Sequence, residues 1–242
     1  YTIHFERNLG NMDKIKQYIK DCSIGIGVIL SYFLLPYTKY IVLYFLHGVE
    51  VNETLNILLS IVIEILTVSV ILLLMNKRIT KDFKNLKKNH KKYFKEYFKY
   101  YLIGLAVMYI SNAILMFGFD AGISGNEESI RSLLGIHPIY IYLSAVIIAP
   151  SVEELVFRGA IKNIIPNKIL FILVSGLVFG GLHLVGNISN VVDLLYIIPY
   201  SALGIVFAYI YSKTDNIFIT MLLHTMHNGI LVSLQIAVLL FG

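Results

Sequence analysis

The sequence predicts an all-α integral membrane protein of about seven transmembrane helices, with its chemistry in the last four. Three observations lead there. Hydrophobic residues fill 57% of the 242 positions, mean hydropathy is +0.74 and charged residues make up only 14%. A soluble domain carries nearer about 25% charged residues. Runs of about 20 apolar residues recur, and in hydrocarbon a helix satisfies every backbone donor and acceptor within its own segment. Finally, acids, histidines and an asparagine are concentrated inside the later runs.

In order, the spans are expected near residues 22–46, 55–75, 98–118, 138–161, 168–186, 192–211 and 216–240. The first contains Pro36 and Lys39 and is open to a broken or re-entrant form. In the second, Glu64 is an intramembrane acid, read first as facing a polar neighbour in the bundle. His47 and His137 lie at segment edges, where interfacial histidines are unremarkable.

Between the second and third spans, KRITKDFKNLKKNHKKYFKEYFKYY interleaves lysines with Phe83, Leu86, Tyr93, Phe94, Tyr97 and Phe98. This suits either a helix lying on an anionic leaflet or a solvated basic loop. In the fourth span, Pro150 removes one helical hydrogen bond and should bend the chain, freeing a carbonyl. Gly176, Gly180, Gly204 and Ala208 place small residues four apart in the fifth and sixth, which lets helices approach closely.

Charge sets the expected topology. Lys14, Lys16 and Lys20 precede the first span, Lys77 to Lys99 separate the second and third, Lys162 and Lys168 flank the turn after the fourth, and Lys213 separates the last two. The alternate loops hold Glu50 and Glu53, then Asp120, Glu127, Glu128 and Arg131, then Asn187 to Asn190. By the positive-inside rule the N-terminus faces the cytoplasm, and with seven spans Gly242 lies outside. The net charge of +5 is therefore topology and not a nucleic-acid surface.

The expected organisation is an N-terminal cytoplasmic segment over residues 1–21, a transmembrane scaffold over 22–118 with the basic linker 77–99, and a catalytic core over 137–240. Residues 1–11 read as an appended leader, with Met12 the natural start. The first apolar run is long and lacks a small-residue cleavage pattern, so it is not expected to be a cleavable signal. Cys22, the only cysteine, permits no intramolecular disulfide and no thiolate cluster.

Glu153 and Glu154 lie inside IYIYLSAVIIAPSVEELVFRGA, where an ionised side chain costs about 2.5 to 3.5 kcal/mol on insertion scales. Residues four apart share a helix face. Arg158 is thus the natural partner of Glu154, which leaves Glu153 as the candidate base. The same spacing aligns Phe179 with His183 and His224 with Asn228. At 1.5 Å per residue, Glu153 lies roughly 13 Å, His183 roughly 22 Å and His224 roughly 12 Å from the lysine-flanked ends. A shared cavity opening toward the cytoplasmic side is expected.

A carboxylate with histidines can activate water, with or without a metal, and an Asn amide and a His can donate to an oxyanion. That set suits peptide hydrolysis. No serine lies in a nucleophile motif and the HExxH zinc signature is absent. If zinc is used, Glu153, His183 and His224 are the expected ligands. His227 is read as a packed or substrate-facing side chain.

EELVFR at Glu153–Arg158, FGGLH at Phe179–His183 and HTMHN at His224–Asn228 resemble the EExxxR, FxxxH and HxxxN motifs of the CPBP family, which includes CAAX prenyl proteases, bacteriocin-processing enzymes and Abi proteins. The resemblance covers roughly residues 137–240. It implies an intramembrane endopeptidase in which Glu153 activates water with help from His183, His224 and Asn228 stabilise the oxyanion, and Glu154 and Arg158 order the site. It leaves open a glutamate or a metallo form.

A membrane-associated peptide or protein is the expected substrate. A bacterial peptide precursor of pheromone or bacteriocin type is preferred to a prenylated protein, and a bacterial cytoplasmic membrane is the expected location. The competing readings are a non-catalytic scaffold for a membrane partner and an ion-coupled transporter. Intact motifs oppose the first, and the lack of repeated halves opposes the second.

Overall fold

The computed structural model describes residues 2–46 and 52–241, with side chains described from Met12 onward except that of Glu53. His47 and Glu50, assigned above to a segment edge and a loop, lie outside the described residues. Among those described the chain is helical, with no strand. The helices are α1 (Thr2–Leu34), α2 (Thr38–Phe45), α3 (Glu53–Gly118), α4 (Gly125–Ile136), α5 (Pro138–Ile164), α6 (Lys168–Leu182), α7 (Ile197–Thr214) and α8 (Ile217–Phe241).

The first expected span is indeed broken: a 3-10 turn at Leu35–Tyr37, with Pro36 inside it, separates α1 from α2. The second and third do not form separate helices. Both belong to the 66-residue α3, which as a straight rod would measure about 99 Å.

Contacts show that α3 is bent back on itself. Its first arm runs parallel to α5, since Glu64 bonds Ser144 and Met75 meets Gly159. Its second arm runs antiparallel to α7, with Tyr101 stacked on Phe207 and Leu115 clustered with Tyr196. Because α5 and α7 point the same way, each antiparallel to α6, the two arms point in opposite directions. The reversal falls in the lysine-rich stretch.

That stretch is not a solvated loop. It is helical, with Leu86, Tyr93, Phe94 and Phe98 packed on a cluster of Tyr97, Tyr101, Phe207 and Leu223, so most of its apolar face is turned to the protein. Phe83 is exposed, at 44%, and the lysines project outward.

By length and composition, five helical stretches are able to cross a membrane among the described residues, and α6 is shorter. The expected seven differs from five because two crossings share α3 and because α6 spans only 15 residues.

The core sits around α5, α6 and α7. A Cβ on Gly180 would lie 2.7 Å from the backbone nitrogen of Ser201, and one on Gly176 would lie 2.8 Å from that of Ile205. Glycine at both positions lets α6 and α7 touch backbone to backbone. At the lysine-bearing end, hereafter the basic end, Asp82 accepts hydrogen bonds from the first backbone N–H of α8 at Ile217 (3.0 Å) and from Arg78 (3.1 Å). Arg78 and Lys81 also hold Asp215, which closes α7 in the left-handed conformation. This clasp fixes where α8 begins, and hence where His224 stands.

Candidate active site

Two π-turns, Ser144–Ile148 and Glu154–Ala160, interrupt α5 on either side of Glu153. Widened turns of this kind are frequent at functional sites. The first leads into Pro150. In its register, Ala149 N–H bonds the carbonyl five residues back, at Ser144. Pro150 has no N–H to continue that pattern, so the carbonyl of Ala145 lacks its backbone donor. Asn228 Nδ2 supplies one from α8 at 2.9 Å, and its second amide hydrogen is left for the cavity.

Glu154 and Arg158 are fully buried and form an ion pair with Nε and Oε2 3.1 Å apart. The guanidinium lies over Phe179 at 4.6 Å and Phe207 at 5.6 Å, so ring faces meet the rest of its charge. The other oxygen of Glu154 lies 3.1 Å from His224 Nδ1. That contact orients the imidazole and presents Nε2 to Glu153, whose Oε2 is 3.8 Å away. Phe179 and Phe207 pack against His224 from two sides.

His183 caps α6. Its Nδ1 donates to the Phe179 carbonyl at 2.9 Å, fixing the tautomer that leaves Nε2 free, and its ring stacks on Tyr200 at 4.5 Å. Among the described residues it makes no direct hydrogen bond to Glu153. His227 is buried with Nδ1 3.4 Å from the Tyr101 hydroxyl.

A cavity of ≈ 620 Å³ brings these groups together, since Glu153, His183, His224, His227 and Asn228 all line it. It rises to Ser124, Glu127, Arg131 and Gln235, at the end of the bundle away from the lysines. The expected opening toward the lysine side is therefore corrected. Below Glu153 the chain is solid: Glu154, Leu155, Val156, Arg158, Ala160 and Thr220 are each 0% exposed. Depth along a helix measures nearness to an end, not which end is open.

Glu64 lines a second cavity, of ≈ 670 Å³, and accepts hydrogen bonds from Ser144 (2.7 Å) and Tyr140 (3.1 Å). That cavity also reaches Glu153. Among the described residues no three His, Cys, Asp or Glu side chains converge closely enough to hold a metal ion, so the set Glu153, His183 and His224 does not fit zinc as placed.

Tyr200, Phe207 and Asp82 belong to this architecture and were not singled out from sequence. None stands at a helical spacing from the residue it supports.

A family model described as "Type II CAAX prenyl endopeptidase Rce1-like" matches residues 135–230. The "Putative membrane peptidase YdiL" of Bacillus subtilis (strain 168) is 27% identical over 151 residues, 55% of this chain and 58% of that protein. An "Uncharacterized protein" of Mycoplasma capricolum subsp. capricolum is 36% identical over 126 residues, 49% of this chain and 36% of that protein. The chain thus spans less than two thirds of the length of either relative. No solved structure matches it. Over residues 135–230, which carry the three motifs gathered on one cavity, the chain is thus similar to the CAAX prenyl endopeptidase family.

Proposed function

We propose that this protein is an intramembrane endopeptidase that hydrolyses a peptide bond in a membrane-associated peptide or protein. The observation that carries the reading is the shared space between Glu153 and His224 Nε2, with Glu154 behind the histidine and the Asn228 amide beside it.

Glu153 takes a proton from water, and the resulting hydroxide attacks the scissile carbonyl. His183, its free Nε2 lining the same cavity, relays a proton toward the leaving amine. His224, oriented by the Glu154 carboxylate, and Asn228 donate to the oxyanion. Removal of one such donor costs about 10²–10³ in kcat elsewhere.

For substrate we favour a peptide precursor of pheromone or bacteriocin type, in a bacterial cytoplasmic membrane, over a prenylated CAAX protein. The bacterial relatives support this preference, whereas the family description supports the CAAX alternative. Mass spectrometry of membrane and secreted peptides from cells carrying the wild type or Glu153→Ala tests the reading. It expects a mature peptide to vanish and its precursor to accumulate. Unchanged peptides together with a mutant-sensitive phenotype would favour a scaffold role.

A further inference from the structure

We propose that the site is entered only from the non-cytoplasmic side of the membrane, so that its substrate is an extended peptide segment exposed on that side. The nature of the occupant rests on the endopeptidase reading; the direction of entry does not.

The two ends of the bundle differ in charge and in packing. At one end lie the nine lysines between Lys77 and Lys99, together with Lys162, Lys168 and Lys213. At the other, residues 119–137 and 183–193 hold Asp120, Glu127, Glu128, Asp193 and a single basic residue, Arg131. Arg131 is paired with Glu127. The positive-inside rule assigns the first end to the cytoplasm.

That cytoplasmic end is closed. Directly beneath Glu153, the Glu154–Arg158 pair and its apolar surround are fully buried. Below them, Tyr211 and Ile217 are also buried, and Asp82 latches the start of α8. No water or peptide reaches Glu153 through this packing without separating α5, α6 and α8.

Both cavities lie on the other side of Glu153. The first runs between α5 and α8 up to Gln235, five turns or so beyond the start of α8. Gln235 donates to Glu127 at 2.6 Å at its rim. The second is bounded by Tyr32, Lys39, Ser60, Glu64 and Val185, all in the half of the bundle remote from the lysine-rich stretch of α3, with Lys39 bonded to Ser60 as its one lysine. The cavities share two lining residues, Ala149 and Glu153, one helical turn apart. An extended chain crossing the small Ala149 side chain would occupy both cavities and set its backbone against Glu153.

Thiol labelling tests the direction without requiring proteolysis. In a Cys22→Ser background, Leu231→Cys places a thiol in the first cavity, Asn126→Cys places one at its mouth, and Lys213→Cys marks the basic end. A membrane-impermeant methanethiosulfonate is applied to right-side-out and inside-out vesicles of the full chain. Both cavity variants should label in right-side-out vesicles alone, and Lys213→Cys in inside-out vesicles alone. Labelling of Leu231→Cys or Asn126→Cys from the same face as Lys213→Cys overturns the proposal, as does labelling of neither cavity variant from either face. A chain without peptidase activity can still pass, so failure here and failure of the hydrolytic reading are separate results.

Discussion

The Nδ1 of His224 lies 3.1 Å from a Glu154 oxygen whose carboxylate is also paired with Arg158. A single buried acid therefore orients the histidine and holds the arginine. Glu154→Gln keeps the shape but removes the negative charge that faces both the histidine and the arginine. Activity is expected to fall at least about 10²-fold, in line with the loss of an electrostatic donor, and the thermal midpoint is expected to fall as well, because Arg158 is left buried without its counter-charge. Retained turnover in purified Glu154→Gln would count against the role given to His224.

Arg158→Ala is expected to be worse for the fold than for the chemistry alone. It leaves Glu154 buried without its cation, and breaking such a pair costs about 3–5 kcal/mol. Thermal unfolding in detergent should show a large fall in midpoint, whereas Glu153→Ala, at a partly accessible position with 17% of its side chain exposed, should unfold near the wild-type temperature.

Asn228→Ala should lower both activity and stability. The Ala145 carbonyl then loses its donor, and an unpaired buried polar group costs about 1–3 kcal/mol. Asn228→Gln, which keeps an amide one carbon further out, should recover part of the stability more readily than turnover. Equal unfolding midpoints for wild type and Asn228→Ala would contradict the account of the π-turn.

Asp82→Ala should act at a distance. It frees the first backbone N–H of α8 and breaks the contact with Arg78, so the basic end should loosen. Faster amide exchange over residues 214–220 is the expected signature. Exchange unchanged there would show that the clasp does not hold α8.

The helix faces that carry the chemistry were legible because they depend on local spacing: Glu154 with Arg158, Phe179 with His183, and His224 with Asn228. The close packing of Gly176 and Gly180 on α7 was legible for the same reason. The π-turns around Glu153 were not, since one extra residue in a turn barely disturbs an apolar pattern. Nor was the bend of α3, because the lysine-rich stretch carries good helix formers throughout and reverses through tertiary contacts. The direction in which the cavity opens depends on residues from six helices, and no single segment encodes it.

Hydrolysis by water activated at Glu153 is tested most directly by incubating wild-type and Glu153→Gln membranes with precursor peptides in H₂¹⁸O and reading new C-termini by mass spectrometry. The account predicts ¹⁸O in the new carboxylates of the wild-type products and no such products from Glu153→Gln. The same labelled products from Glu153→Gln at the wild-type rate would contradict it.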